Sequence, residues 1–165
     1  MHRTEEIVIN TASLLSLIAG MGSLSVLKQL YKRVLVPFEV CREIETGGAS
    51  DFGINEFKRA DFLEKKITPL QIPSFLANSL DIGEASVIQL AVDEDVQTVC
   101  IDENVGRRIA RLNGLNLTGS IGVLIRAKHE GIDFSINEAI HRMQSHGIYL
   151  SQKVIDFAFR QVKEQ

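Results

Sequence analysis

Polar residues recur in this chain at one kind of place, where a short apolar run stops and a helical pattern begins. Ile7-Val8-Ile9 runs into Asn10, and Val99-Cys100-Ile101 runs into Asp102. Glu84 opens a long apolar helix just after Asp81-Ile82-Gly83. In the helix after Pro37, Glu43 and Glu45 flank an inner face of Val40, Cys41 and Ile44 on opposite edges, and the pattern does not choose between them. The structural explanation of these residues is ordinary. Asn and Asp are preferred N-caps, Asp81 with Glu84 fits a capping box, and Glu43 and Glu45 form a solvated helix edge. The chemical explanation is a set of oxygen donors. Clustered carboxylates repel unless they are protonated or joined by a cation. Oxygen donors without histidine or thiolate favour Mg²⁺ or Mn²⁺. The usual work of such a site is phosphoryl chemistry, in which a water is activated and charge on the scissile phosphate is neutralised.

Other chemistries lose support. The histidines, His2, His129, His141 and His146, are terminal or fall in the last helices, and the spacing of His141 and His146 does not put them on one helix face. No Gly-x-Gly-x-x-Gly and no Gly-x-x-x-x-Gly-Lys occurs, which argues against dinucleotide and nucleotide-triphosphate binding. Cys41 and Cys100 match no metal spacing, and Cys100 reads as a buried small hydrophobe. The Met and Phe residues read as core. At 165 residues, 45% hydrophobic and 24% charged, the chain fits one globular domain over 1–165. Its formal net charge is −3, so a nucleic-acid partner must be met by a local patch. Arg107, Arg108 and Arg111 follow Asp102, and Arg126 and Lys128 lie on the helix after Thr118-Gly119-Ser120. That helix start offers free N–H groups to a phosphate. The structural alternative for these cations is a solvated basic face.

The elements that must position these groups alternate. Short apolar runs at 7–9, 34–36, 98–101 and 115–117 read as buried strands, with 67–72 as a short edge strand because it contains Pro69. Helical patterns cover 11–19 with a stop at Gly20, 23–31, 38–46 with Pro37 at the first helical position, and 54–65. They continue from Asp81 to Val92, then over 105–112, 120–128 with a stop near Gly131, 136–145 and 151–162. Apolar strands alternating with helices mean an α/β chain, a parallel sheet covered on both faces in three α/β/α layers. In such sheets ligands bind beyond the carboxyl ends of the strands. The uncharged run 7–27 is too interrupted by Asn, Thr, Ser and Gly to span a membrane. Glu5 and Glu6 stand where a signal peptide has basic residues, so a cytoplasmic protein is expected.

In these segments the chain resembles a PIN domain, closest to a prokaryotic branch of predicted nucleic-acid-binding proteins. The resemblance rests on Ile7-Val8-Ile9-Asn10-Thr11-Ala12-Ser13, Val36-Pro37-Phe38-Glu39-Val40-Cys41-Arg42-Glu43-Ile44, Leu80-Asp81-Ile82-Gly83-Glu84-Ala85 and Cys100-Ile101-Asp102-Glu103. A fifth segment runs from Thr118-Gly119-Ser120 to Lys128. It implies a PIN-like sheet in the order 3-2-1-4-5. It also implies a metal-dependent ribonuclease, as in VapC-type toxins, with Mg²⁺ or Mn²⁺ held by an acidic quartet. Residue by residue, the quartet falls on Asn10, Glu43, Glu84 and Asp102, which selects Glu43 over Glu45. Asn10, Glu84 and Asp102 would be the metal ligands. Thr11 and Ser13 match the small hydroxyl residues after the first acid, and with Arg107, Arg108, Thr118 and Ser120 they are candidate contacts to RNA. The departure is Asn10, where Asp is usual: an amide oxygen can ligate but brings no negative charge.

Three functions follow. The first is a Mg²⁺/Mn²⁺-dependent ribonuclease, the toxin of a toxin–antitoxin pair. The second is an RNA-binding or scaffolding module that lost turnover with its first acid. The third is a structural protein whose strand-end residues only cap helices. The resemblance also implies a homodimer and a small antitoxin protein over the crevice, with the apolar Leu/Ser/Gly run after Asn10 as a candidate interface.

Overall fold

A computed structural model describes residues 5–47 and 51–163. Strand β1, Glu5–Ile9, is central, and Ile7, Val8 and Ile9 have no solvent exposure. Helix α1, Thr11–Met21, leads to α2, Ser25–Leu30, and to strand β2, Tyr31–Val36. Helices α3, Phe38–Thr46, and α4, Ile54–Arg59, precede strand β3, Glu64–Lys65. Helix α5, Ser74–Ser79, and helix α6, Ile82–Asp93, bring the chain to β4, Thr98–Cys100. Then come α7, Asn104–Leu112, β5, Asn116–Thr118, and α8, Ser120–His129. The last two helices are α9, Ile136–Ser145, and α10, Gln152–Val162.

The five strands are parallel, in the order β3-β2-β1-β4-β5. This is the order the resemblance implied. Val8 is level with Leu35 on one side and Val99 on the other, and Ile9 is level with Cys100. Over residues 7–9, 34–36 and 99–100 the three inner strands are apolar without alternation because helices cover both faces. One set of helices packs α1 against α9, and α8 against α1, α9 and α10. The other packs α3 and α7 on α6, which lies on β1 and β4.

Several boundaries differ from the sequence reading. Helix α1 does not stop at Gly20. It ends at Gly22, whose φ of 79° gives the left-handed turn that closes a helix. Gly20 lies inside the helix, buried, and a methyl there would meet Met143 Cε at 2.9 Å and the Ala139 carbonyl oxygen at 3.3 Å. It is a contact point between α1 and α9. Tyr31, expected in α2, begins β2. Pro37 stands one place before its expected position, as the extended N-cap residue with ψ 153°.

The helix expected over 54–65 ends at Arg59, and the edge strand is Glu64–Lys65 and not 67–72. The strand is the segment that pairs with the end of β2, Glu64 level with Leu35 and Lys65 with Val36, and Arg33 Nε and Nη2 donate to the two oxygens of Glu64 at 3.1 and 2.6 Å across that pairing. The short helix α5 follows Pro73 and was not expected. Finally, the run after Asn10 is buried within the chain: Leu14 and Leu17 have no exposure. That removes the sequence support for an interface there. Among the described residues no helix is long and apolar enough to cross a membrane.

Candidate active site at the carboxyl edge of the sheet

β1 and β4 end side by side, and their first polar residues are tied to one another. The Asn10 N–H donates to the Cys100 carbonyl at 3.2 Å, extending the ladder past Ile9. Asn10 is 3% exposed, and its Oδ1 accepts from the Ser13 N–H at 3.0 Å, so it does cap α1. The Ser13 hydroxyl is 3.1 Å from Asp102 Oδ1 and 3.4 Å from the Cys100 carbonyl oxygen.

Asp102 does not cap the helix that follows it, whose N-cap residue is Glu103. It caps α8 instead. Its Oδ1 accepts from the Ser120 N–H and its Oδ2 from the Ser120 hydroxyl, both at 2.8 Å. An ionised carboxylate has about four lone-pair sites, and Ser13 and Ser120 leave room for another ligand.

Glu84 sits in a different environment. The Asp81 side chain caps α6 by accepting from the Glu84 N–H at 2.8 Å. The Glu84 side chain is then buried, and its Oε2 has no hydrogen-bond partner. Burial pushes its pKa up to about 8, helped by neighbouring Asp81 and by the negative charges of Glu103 and Glu43. Glu43 is exposed on α3, and its carboxylate lies over Gly83 in the first turn of α6. Gly106 in the first turn of α7 lies against Glu84 Oε2, so the helix that begins just after Asp102 touches Glu84. The Thr11 hydroxyl, at the start of α1, is likewise buried without a partner.

The acids thus form two neighbouring groups. Hydrogen bonds link Asn10, Ser13, Asp102 and Ser120, and charge couples Glu84 with Asp81, Glu43 and Glu103. Among the described residues no three His, Cys, Asp or Glu side chains stand together as a ready cation cage. The donor set nevertheless suits a hard cation. Every donor is an oxygen, Asp102 has acceptor capacity left, and Glu84 Oε2 is a buried carboxyl oxygen that accepts no hydrogen bond.

The candidate nucleic-acid contacts are divided. Ser120 is 1% exposed and gives both its donors to Asp102, so it positions that acid and does not face a ligand. The Thr118 hydroxyl is 3.3 Å from the Gly119 carbonyl oxygen. Arg107 Nη1 donates to the carbonyls of Ile101 and Thr118 at 2.8 and 3.1 Å, clamping the ends of β4 and β5. Arg108 and Arg111 are exposed on α7. Arg126 is paired with Glu5 at the amino end of β1 and stacks on Tyr31, away from the acids.

The sequence reading did not anticipate Asp81 and Glu103 as acids of the site. Their signal was adjacency, Asp81 three positions before Glu84 and Glu103 next to Asp102. Glu39, earlier on α3 than Glu43, is engaged elsewhere. Its Oε2 accepts from the Leu70 N–H at 2.9 Å, and its Oε1 is buried without a partner.

Comparison with known proteins supplies an independent line. A family model, DUF3368, described as a PIN domain, matches residues 6–164. No curated protein matches the chain. The match runs through every strand and helix that builds the acidic edge, and the sheet has the strand order that the resemblance implied, so the chain belongs to the PIN-domain family.

Proposed function

We propose that this PIN domain is a Mg²⁺- or Mn²⁺-dependent ribonuclease, with Asn10, Glu43, Glu84 and Asp102 as its catalytic set. Family membership supports nucleic-acid chemistry in general. The observation that supports the finer reading is Glu84 Oε2, a carboxylate oxygen held out of water with no donor. Its charged form is costly to bury, so Glu84 keeps its proton up to about pH 8, and a cation beside it would take the place of that proton. Asp102 and Glu84 would supply the charged ligands and Asn10 a neutral one, with Glu43 at the rim. When bound, a divalent cation activates a water and neutralises charge on the scissile phosphate. Ser13 and Ser120 fix the Asp102 carboxylate through hydrogen bonds to both its oxygens. Gly83 lets the Glu43 carboxylate rest over the start of α6.

The test is cleavage of single-stranded RNA by the purified chain with Mn²⁺, with chelator, and with Asp102→Asn in Mn²⁺. Cleavage that needs Mn²⁺ and Asp102 is expected. A second reading, an RNA-binding module without turnover, has its own supporting observation: the Asn10 oxygen is taken by the Ser13 N–H and adds no charge. RNA binding without cleavage under all three conditions would select it.

The resemblance to VapC-type toxins extends the proposal to partners. The chain would act as the toxin of a toxin–antitoxin pair, a homodimer whose crevice is covered by a small antitoxin protein. A short reading frame immediately upstream and a dimer in sedimentation at tens of micromolar are the expected findings. A monomer at that concentration counts against the dimer.

A further inference from the structure

Three acids of the site lie against glycines. A methyl group built on Gly83 would come 3.2 Å from Glu43 Oε1, and one built on Gly119 would come 2.8 Å from Asp102 Oδ1. The tightest is Gly106, where a methyl would stand 2.5 Å from Glu84 Oε2. Nothing in the local backbone asks for glycine there. Gly106 lies within α7, its φ is not left-handed, and glycine inside a helix is less stable than alanine. Gly106 is buried, and the atom nearest its missing side chain is the unpartnered carboxylate oxygen.

We propose that Gly106 is a positioning residue for Glu84. The absent side chain leaves the space into which the Glu84 carboxylate fits, between the first turns of α6 and α7. In alanine's presence the carboxylate must leave that space, because its end is the part of the contact that can rotate. Ile101 Cγ2 would also stand 3.0 Å from the methyl. A role confined to packing on Ile101 is therefore the rival explanation, and it does not involve residue 84. The consequence for metal binding rests on the proposed metal-dependent reading. The placement of Glu84 does not.

The test uses the full chain in four forms: wild type, Gly106→Ala, Glu84→Ala and the double variant. Thermal unfolding without metal reads the clearance itself. Gly106→Ala is expected to lower Tm in the wild-type background, and to leave it unchanged or raise it once Glu84 is truncated. An equal fall in both backgrounds assigns the glycine to Ile101 and overturns the proposal. Calorimetric Mn²⁺ titration reads the consequence. Gly106→Ala is expected to weaken binding about tenfold, the effect of disturbing a group that orients a ligand. If wild type binds Mn²⁺, Glu84→Ala binds it more weakly and Gly106→Ala binds it as well as wild type, Gly106 does not position that ligand and the proposal falls. If no form binds Mn²⁺ while the unfolding data still couple residues 84 and 106, the placement of Glu84 by Gly106 stands and the metal-dependent function is what fails.

Discussion

Glu84 is buried in the folded chain with Asp81, Glu103 and Glu43 around it, and its pKa is pushed up to about 8. A carboxyl whose folded pKa exceeds its unfolded value binds its proton more tightly when folded. Its contribution to stability is therefore complete below the ordinary carboxylate range and is lost as pH rises toward about 8. Without metal, Tm of the wild type should fall across that window. Glu84→Gln, which is neutral throughout, should fall less and be the more stable protein at pH 8, by on the order of a few kcal/mol. Chemical denaturation of both forms across the window in chelator checks this, and parallel curves would contradict it. A cation held by the ionised carboxylate acts in the opposite direction, since a ligand that binds only the folded state stabilises it.

Asn10 belongs to the same scale. Asn10→Asp keeps an acceptor for the Ser13 N–H and adds a negative charge close to Asp102, to which Ser13 links it. In chelator the new repulsion should lower Tm. In Mn²⁺ the order should reverse. Part of the added attraction is offset by desolvation, so a tightening of about tenfold, or roughly 1.4 kcal/mol, is expected. Calorimetry and RNA cleavage rates read the two consequences separately. Tighter binding with no cleavage would favour the RNA-binding module.

At the scale of elements, the site depends on where α8 begins. Asp102, at the end of the β4 segment, accepts from both donors of Ser120, so one carboxylate joins a strand end to the start of a distant helix. Removing the hydroxyl in Ser120→Ala leaves the N–H bond and deletes a charge-assisted one, typically about 1.5–3 kcal/mol. For a chain of this size each kcal/mol moves Tm by about 2–4 °C. A lower Tm is expected, with the pH dependence attributed to Glu84 unchanged, because the two acids lie in separate groups. A pH profile that shifts in Ser120→Ala would show the groups to be one.

The link between Asp102 and Ser120 also shows why some of the site was legible in the sequence and some was not. That Asp102 ends a buried strand follows from the run Val99-Cys100-Ile101, which only a covered sheet tolerates. That it caps α8 and not α7 depends on how β4 and β5 pair, a contact across eighteen residues that periodicity cannot register. The same distinction separates the elements. The apolar spacing of α3 and α9 is local, and the pattern gives their bounds. The place of β3 depends on pairing with β2, which the pattern does not register, and Gly20 reads as a stop although its small size serves the contact with α9. Asn10 did turn out to be a cap, as the plainer reading held.

Taken as a whole molecule, the two ends of the sheet carry charge differently. At the amino end acids are paired: Arg33 meets Glu6, Glu64 and Glu94, Lys66 meets Glu64 and Glu94, and Arg126 meets Glu5. At the carboxyl end the negative charges of Asp81, Glu43 and Glu103 surround Glu84 and hold its proton on, and the exposed cations near them are Arg42, beside Glu43 on α3, and those on α7. A chain of net charge −3 has no general attraction for RNA, so binding at that end must depend on those few cations. On α7, Arg107 is partly committed to backbone carbonyls, which leaves Arg108, and Arg111 in the last turn, to meet phosphates. Each phosphate neutralised on a single strand steepens the dependence of log affinity on log salt by about 0.7. The double change Arg108→Ala and Arg111→Ala should therefore flatten that slope by roughly 1.4 and weaken binding most at low salt. Cleavage at saturating RNA should change little, since neither residue is among the acids. Fluorescence anisotropy of a labelled single-stranded RNA over a salt series, with metal replaced by chelator to prevent turnover, measures the slope. An unchanged slope would mean that RNA does not approach across α7, and Arg42, exposed beside Glu43 on α3, would then be the cation that meets the strand at the acidic edge.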